Sequence, residues 1–126
     1  MSFTFSKDEK LKSRKVIDQL FTEGKSVTKF PVKLFYIPLD EAHSEHLQKA
    51  NYSQAAFAVP KRNFKLAVTR NRVKRQMREA YRLHKHLLSP HDGKNFAFLF
   101  LYISKDKPQS APLDSSIEAL LKQINS

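Results

Sequence analysis

Seven of the sixteen residues from Arg70 to Lys85 are arginine or lysine, and Glu79 alone opposes them, so this stretch carries +6 of the chain's net +11. Guanidinium forks grip phosphate oxygens bidentately, and cations three or four residues apart stack along one side of a helix. With Val73 at the centre of a wheel turning about 100° per residue, Val73, Met77, Ala80, Tyr81, Leu87 and Leu88 gather on one face. Asn71, Lys74, Arg75, Arg78, Arg82 and Lys85 gather on roughly the opposite face. A helix docked by one side and cationic on the other is built to meet a polyanion, because an idle solvated face usually mixes both signs of charge. The charges by themselves leave RNA and DNA open: such a row suits a folded RNA's shallow groove and a DNA major groove alike.

The whole composition agrees. The 126 residues suit one domain with a core of its own, and a pI near 10.0 points to an acidic polymer as partner. A membrane is the poorer choice, since the longest apolar run, Phe96 to Ile103, is strand-like and far short of a spanning helix. Cysteine is absent, which excludes disulfides and thiolate chemistry, and the N-terminus lacks a secretory apolar core; a cytoplasmic protein is the expectation. Gly24 and Gly93 are the only glycines, so no Gly-rich phosphate loop exists and nucleotide hydrolysis is excluded as a class.

Around the basic helix the pattern predicts α, β, β, α, β, α: an α+β fold, a two-layer α/β sandwich on a small mixed sheet. Residues 1–12 form a lead-in. Ser6 to Glu9 fits a capping box, and Ser13 is an equally good start for a first helix over about 14–23, closed by Gly24. Residues 26–39 read as extended, with Pro31 as a break and Val32 to Leu39 as strand; 40–52 read as a variable loop. A second strand spans 54–60, and a basic loop, Lys61 to Lys65, leads into the long helix from about Thr69 to Leu88, ended by Ser89 to Gly93. The most apolar strand, 95–103, belongs at the centre of the sheet. A last helix opens on a Ser115/Glu118 capping box and carries the stripe Leu113, Ile117, Leu120, Leu121, Ile124.

The run Ala58-Val59-Pro60-Lys61-Arg62, then Arg70-Asn71-Arg72-Val73-Lys74-Arg75, then Arg78-Glu79-Ala80-Tyr81 resembles the signature of the bacterial ribonuclease P protein subunit. The resemblance extends over about residues 8–125, including Leu20-Phe21-Thr22-Glu23-Gly24-Lys25-Ser26, the apolar strand and the C-terminal helix. It implies an accessory subunit of a ribonucleoprotein endonuclease that removes the 5′ leader of precursor tRNA. The RNA subunit of that enzyme holds the active site and the catalytic magnesium ions, and no cofactor sits in the protein. Its implied partners are the ribonuclease P RNA and precursor tRNA, one protein per RNA, the protein alone being a monomer. By position, Arg70, Asn71, Arg72, Lys74, Arg75, Arg78 and Arg82 should face the catalytic RNA. Ile17, Phe21 and Phe35 should line a leader cleft, with Lys61, Arg62, Lys65 and Lys105 holding leader phosphates at its rim. The family commonly has an aromatic where this chain has Ile17, so a plain apolar contact is expected there. The family fold is also described with a left-handed crossover through the basic helix, where the general rule expects a right-handed one.

The residues themselves support a grip on single strands, since phosphate contacts plus aromatic platforms bind bases regardless of sequence. Phe96, Phe98 and Phe100 read as core. His84, His86 and His91 have no ligand spacing, and Asp8, Glu9, Asp40, Glu41 and Asp92 fall in caps and loops with no pair placed for acid–base work. No catalytic residue or metal ligand is expected in the chain. The rival reading is a non-enzymatic binding module, either a ribosome-associated protein or a helix-type DNA reader.

Overall fold

The computed structural model describes residues 10–45, 53–84, 95–106 and 110–124. Within them run α1 (Arg14–Glu23), β1 (Lys25–Lys29), β2 (Val32–Pro38), a 3-10 turn (Leu39–Glu41), β3 (Gln54–Ala58), α2 (Ala67–His84), β4 (Phe96–Tyr102) and α3 (Ser110–Ile124). The strands form one mixed sheet in the order β1-β2-β4-β3, antiparallel except for the parallel β4–β3 pair. The α+β sandwich and the central place of β4 are as the pattern predicts.

Period-two alternation sorts the sheet's side chains onto two unequal faces. Leu34, Phe57, Phe98, Phe100 and Tyr102 point to one side and pack against Val73, Met77 and Tyr81 of α2 and Leu113, Ile117, Leu120 and Leu121 of α3. Tyr81 seats α2 by meeting the rings of Phe57, Phe98 and Phe100 at centroid distances of 5.9, 6.3 and 5.5 Å. Such edge-on contacts are each worth about 0.5–1.5 kcal/mol beyond the area they bury, so the rotation of α2 about its own axis is well determined. The other face carries smaller residues. Ile37, Ala97 and Leu99 pack there against Leu11, Val16 and Leu20, so α1 adds a partial third layer to the sandwich.

Several boundaries differ from the pattern, although α1 keeps the expected 14–23. The extended segment before Pro31 is a strand of its own, β1, which pairs with β2 across a turn at the cis Phe30–Pro31 peptide. Its one half-buried residue, Val27, is too little to signal a strand. Gly24 closes α1 without the left-handed turn usual at helix ends: its φ is −69°. Glycine is needed there because a Cβ would stand 2.5 Å from the Leu20 carbonyl oxygen. Ser13 takes the N-cap, accepting from the Val16 N–H at 3.3 Å. α3 starts at Ser110, which leaves Ser115 inside the helix and not at its cap; Pro112 sits in the first turn, where its missing N–H is not needed. Finally, α2 starts at Ala67, ahead of Thr69.

The two edges of the sheet are treated differently. Lys10 forms a parallel bridge with Ala55, and the Leu11 N–H donates to the Ala55 carbonyl at 2.9 Å, so the lead-in lies along β3. The outer edge of β1 has no partner strand among the described residues, and Lys25 and Lys29 are exposed on it. The expectations for Ser6 to Glu9, for 46–52 and for 85–94 (Lys85, His86, Leu87, Leu88, His91 and the stop at Ser89 to Gly93) lie outside the described residues.

Candidate nucleic-acid interface

Val73, Met77, Ala80 and Tyr81 are buried, and the cations fall on the rest of α2. Asn71, Arg72 and Arg75 are exposed, while Arg70, Lys74, Arg78 and Arg82 are half-buried, with their stems along the flanks. Arg82 pairs with Glu79 at 2.8 Å. Among the described residues no carboxylate or carbonyl engages the side chains of Arg72, Lys74, Arg75 or Arg78, so the middle of the helix presents uncompensated charge.

Arg70 is used differently. Its Nη1 donates to the carbonyls of Phe64 and Lys65, both at 2.9 Å, and so pins the basic loop to the first turn of α2. Asn63 pins the same loop from the other side: its Nδ2 donates to the carbonyls of Tyr102 at 3.4 Å and Ser104 at 3.1 Å. Phe64 lies against the Tyr102 ring, with centroids 6.0 Å apart. Since β3 and β4 are parallel, the loops that leave their C-terminal ends emerge side by side, and Asn63 staples them together. Lys61, Arg62 and Lys65 on one loop and Lys105 on the next are all exposed at that end of the sheet. From Lys61 to Arg78 there are eight cations and no acid.

On the α1 face the register builds two rows across the sheet: Ser26, Phe35, Leu99 and Ala56, then Thr28, Lys33, Leu101 and Ala58. α1 covers only part of this face. Phe21, 50% exposed, meets Phe35 at 5.1 Å between ring centroids, and Ile17 is half-buried beside them. The alanines at 56 and 58 leave a shallow floor next to these rings. Among the described residues nothing else covers this floor, which forms an apolar trough toward the end where the basic loops emerge. Lys33 stands over the Phe35 ring, its Nζ 5.1 Å from the centroid.

The structure thus brings Ile17, Phe21 and Phe35 together, and Lys61, Arg62, Lys65 and Lys105 together, with Arg70 joining the basic loop to α2. Sequence reasoning passed over Lys33 and Asn63. Alternation in β2 signals Lys33, since it shares a face with Phe35; nothing in the sequence shows which carbonyls Asn63 reaches. Phe98 and Phe100 are core as expected, and Phe96 packs half-buried against them. His84 ties α2 to α3 through Asp114 at 2.8 Å and Glu118 at 3.5 Å. Among the described residues no group of three or more His, Asp or Glu side chains is arranged to hold a metal ion, and no helix is long and apolar enough to cross a membrane.

An α+β protein with an uncompensated cationic helix on one sheet face and an open apolar trough on the other belongs, by its surface, to the class that meets polyanions. The family model described as Ribonuclease P matches residues 5–125. The ribonuclease P protein component of Porphyromonas gingivalis (strain ATCC 33277) is 36% identical over 126 aligned residues, which cover 98% of this chain and 88% of that one. That of Chlorobium phaeobacteroides is 43% identical over 82 residues, 65% of this chain and 54% of that one. Among solved structures, the RNase P protein of Thermotoga maritima superposes with a TM-score of 0.72 at 23% identity, covering 94% of this chain and 99% of that one. The Staphylococcus aureus RNase P protein gives 0.67 at 21% identity, covering 92% and 94%. The chain belongs to the ribonuclease P protein family.

Proposed function

We propose that this chain serves bacterial tRNA 5′ maturation in the cytoplasm as the one protein bound to each ribonuclease P RNA. In this reading the exposed face of α2 docks on the catalytic RNA through Asn71, Arg72, Lys74, Arg75 and Arg78. The trough of Ile17, Phe21 and Phe35 holds the unpaired 5′ leader of precursor tRNA, with Lys61, Arg62, Lys65 and Lys105 on its phosphates. Bond cleavage belongs to the RNA subunit, whose magnesium ions supply the Lewis-acid chemistry. The chain's own residues bind, orient and screen charge: their cations lower the repulsion between two RNAs and so reduce the magnesium the reaction needs.

The observation that carries this reading is the geometry of the basic loop. It is pinned on one side to the cationic helix and on the other to the sheet end where the trough opens, so one rigid piece serves both RNAs. The test is precursor tRNA cleavage by a partner ribonuclease P RNA at low magnesium, with and without the protein. The protein is expected to restore cleavage that the RNA alone no longer supports; no rescue would overturn the reading.

A further inference from the structure

The cationic face of α2 has an apolar tip. Leu66 and Val68 are 69% and 72% exposed, and Ala67 between them is exposed as well. Val68 is the start of a row with Arg72 and Arg75, at the i, i+4, i+7 spacing that lines one face of a helix. Leu66 takes the N-cap position: its carbonyl accepts from the N–H groups of Thr69 and Arg70, both at 3.2 Å. Helices favour Ser, Thr, Asp or Asn there, because such a side chain satisfies an orphan N–H; leucine gives that up. The backbone beneath is held in place by the bonds from Arg70 to the Phe64 and Lys65 carbonyls, so the two aliphatic groups stand in solvent on a fixed frame.

We infer that Leu66 and Val68 form an apolar contact with the catalytic RNA, packing on the face of an unstacked base. The inference rests on the reading of the chain as a ribonuclease P subunit. Charge selects the partner: Arg72 and Arg75 continue the row of Val68 along the helix, and no acid occurs between Lys61 and Arg78. A surface of that sign attracts a polyanion and repels basic protein faces. Phosphate contacts read no sequence, and duplex RNA buries its bases, so two aliphatic groups find a partner only where the RNA fold splays a base out. The tip therefore adds discrimination to a helix whose other contacts are electrostatic.

The test compares wild type, the double variant Leu66→Ala/Val68→Ala and Arg75→Ala. Each is titrated against the catalytic RNA and against a plain RNA duplex of equal length over a range of salt. Alanine keeps helix propensity, and circular dichroism checks the fold. The double variant is expected to lose roughly 30-fold in affinity for the catalytic RNA, the scale of removing five aliphatic carbons from a half-buried contact. Its salt slope and its duplex binding should not change. Arg75→Ala should instead flatten the salt slope on both RNAs. Wild-type affinity in the double variant, or equal losses on both RNAs, overturns the inference. Wild type that does not prefer the catalytic RNA over the duplex overturns the subunit reading and the inference with it, and that control arm tells the two failures apart.

Discussion

Single residues in this chain stand on different surfaces, a distinction that composition only sums over. Arg72 projects from α2 with no described partner, whereas Lys61 stands on the loop at the mouth of the trough. Arg72→Ala is therefore expected to weaken binding to the ribonuclease P RNA and to lower the slope of log K against log salt by roughly 0.7–0.9. Lys61→Ala should chiefly weaken substrates that carry a leader, and cleavage assays on leader-bearing against mature tRNA measure the difference. Tyr102 offers a check of another kind. Burial pushes its phenol pKa above 10.0; the Ser104 hydroxyl opposes this and the Asp106 carboxylate adds to it. Its O–H also donates to the Asp106 backbone carbonyl. The folded state thus holds the phenolic proton more tightly than the unfolded chain does. Its stabilising effect is complete below pH 10 and is lost as pH rises through the folded value. Denaturant titrations across that alkaline window should show stability falling in wild type, and falling less in Tyr102→Phe.

At the level of elements, hydrophobic periodicity made most of the fold legible. α1 matches the expected 14–23, the buried stripe of α2 is Val73, Met77, Ala80 and Tyr81 as the wheel has it, and β4 is central. The failures are places where tertiary contact decides. β1 has almost no apolar content and exists because β2 offers it a ladder. Ser115 looks like a cap only until the helix is seen to begin at Ser110. The candidate site divides the same way: residue types and the family resemblance pointed to the cations and the trough, but the clamp on the basic loop depends on carbonyls far away in sequence. That clamp makes a prediction. Asn63→Ala leaves the Tyr102 and Ser104 carbonyls without their donor, and should cost about 1–2 kcal/mol of stability by chemical denaturation. It should also reduce leader-dependent affinity while sparing affinity for the ribonuclease P RNA, since α2 itself is untouched.

Across the whole molecule, the unequal faces of the sheet explain how one small fold can present two surfaces. Phenylalanines and tyrosines fill the side under α2 and α3, and alanines on β3 leave the opposite side shallow. The open edge of β1 carries a separate consequence. Two copies meeting there in antiparallel pairing centred on Val27 would set each Lys25 opposite a Lys29 and stack like charges at both ends of the new ladder. The chain is expected to sediment as a monomer at neutral pH, and Lys25→Val/Lys29→Val to associate as concentration rises. Those two ammonium groups thus act as sentries against edge-to-edge self-pairing, a hazard most acute while the protein is newly made and no RNA has yet claimed it.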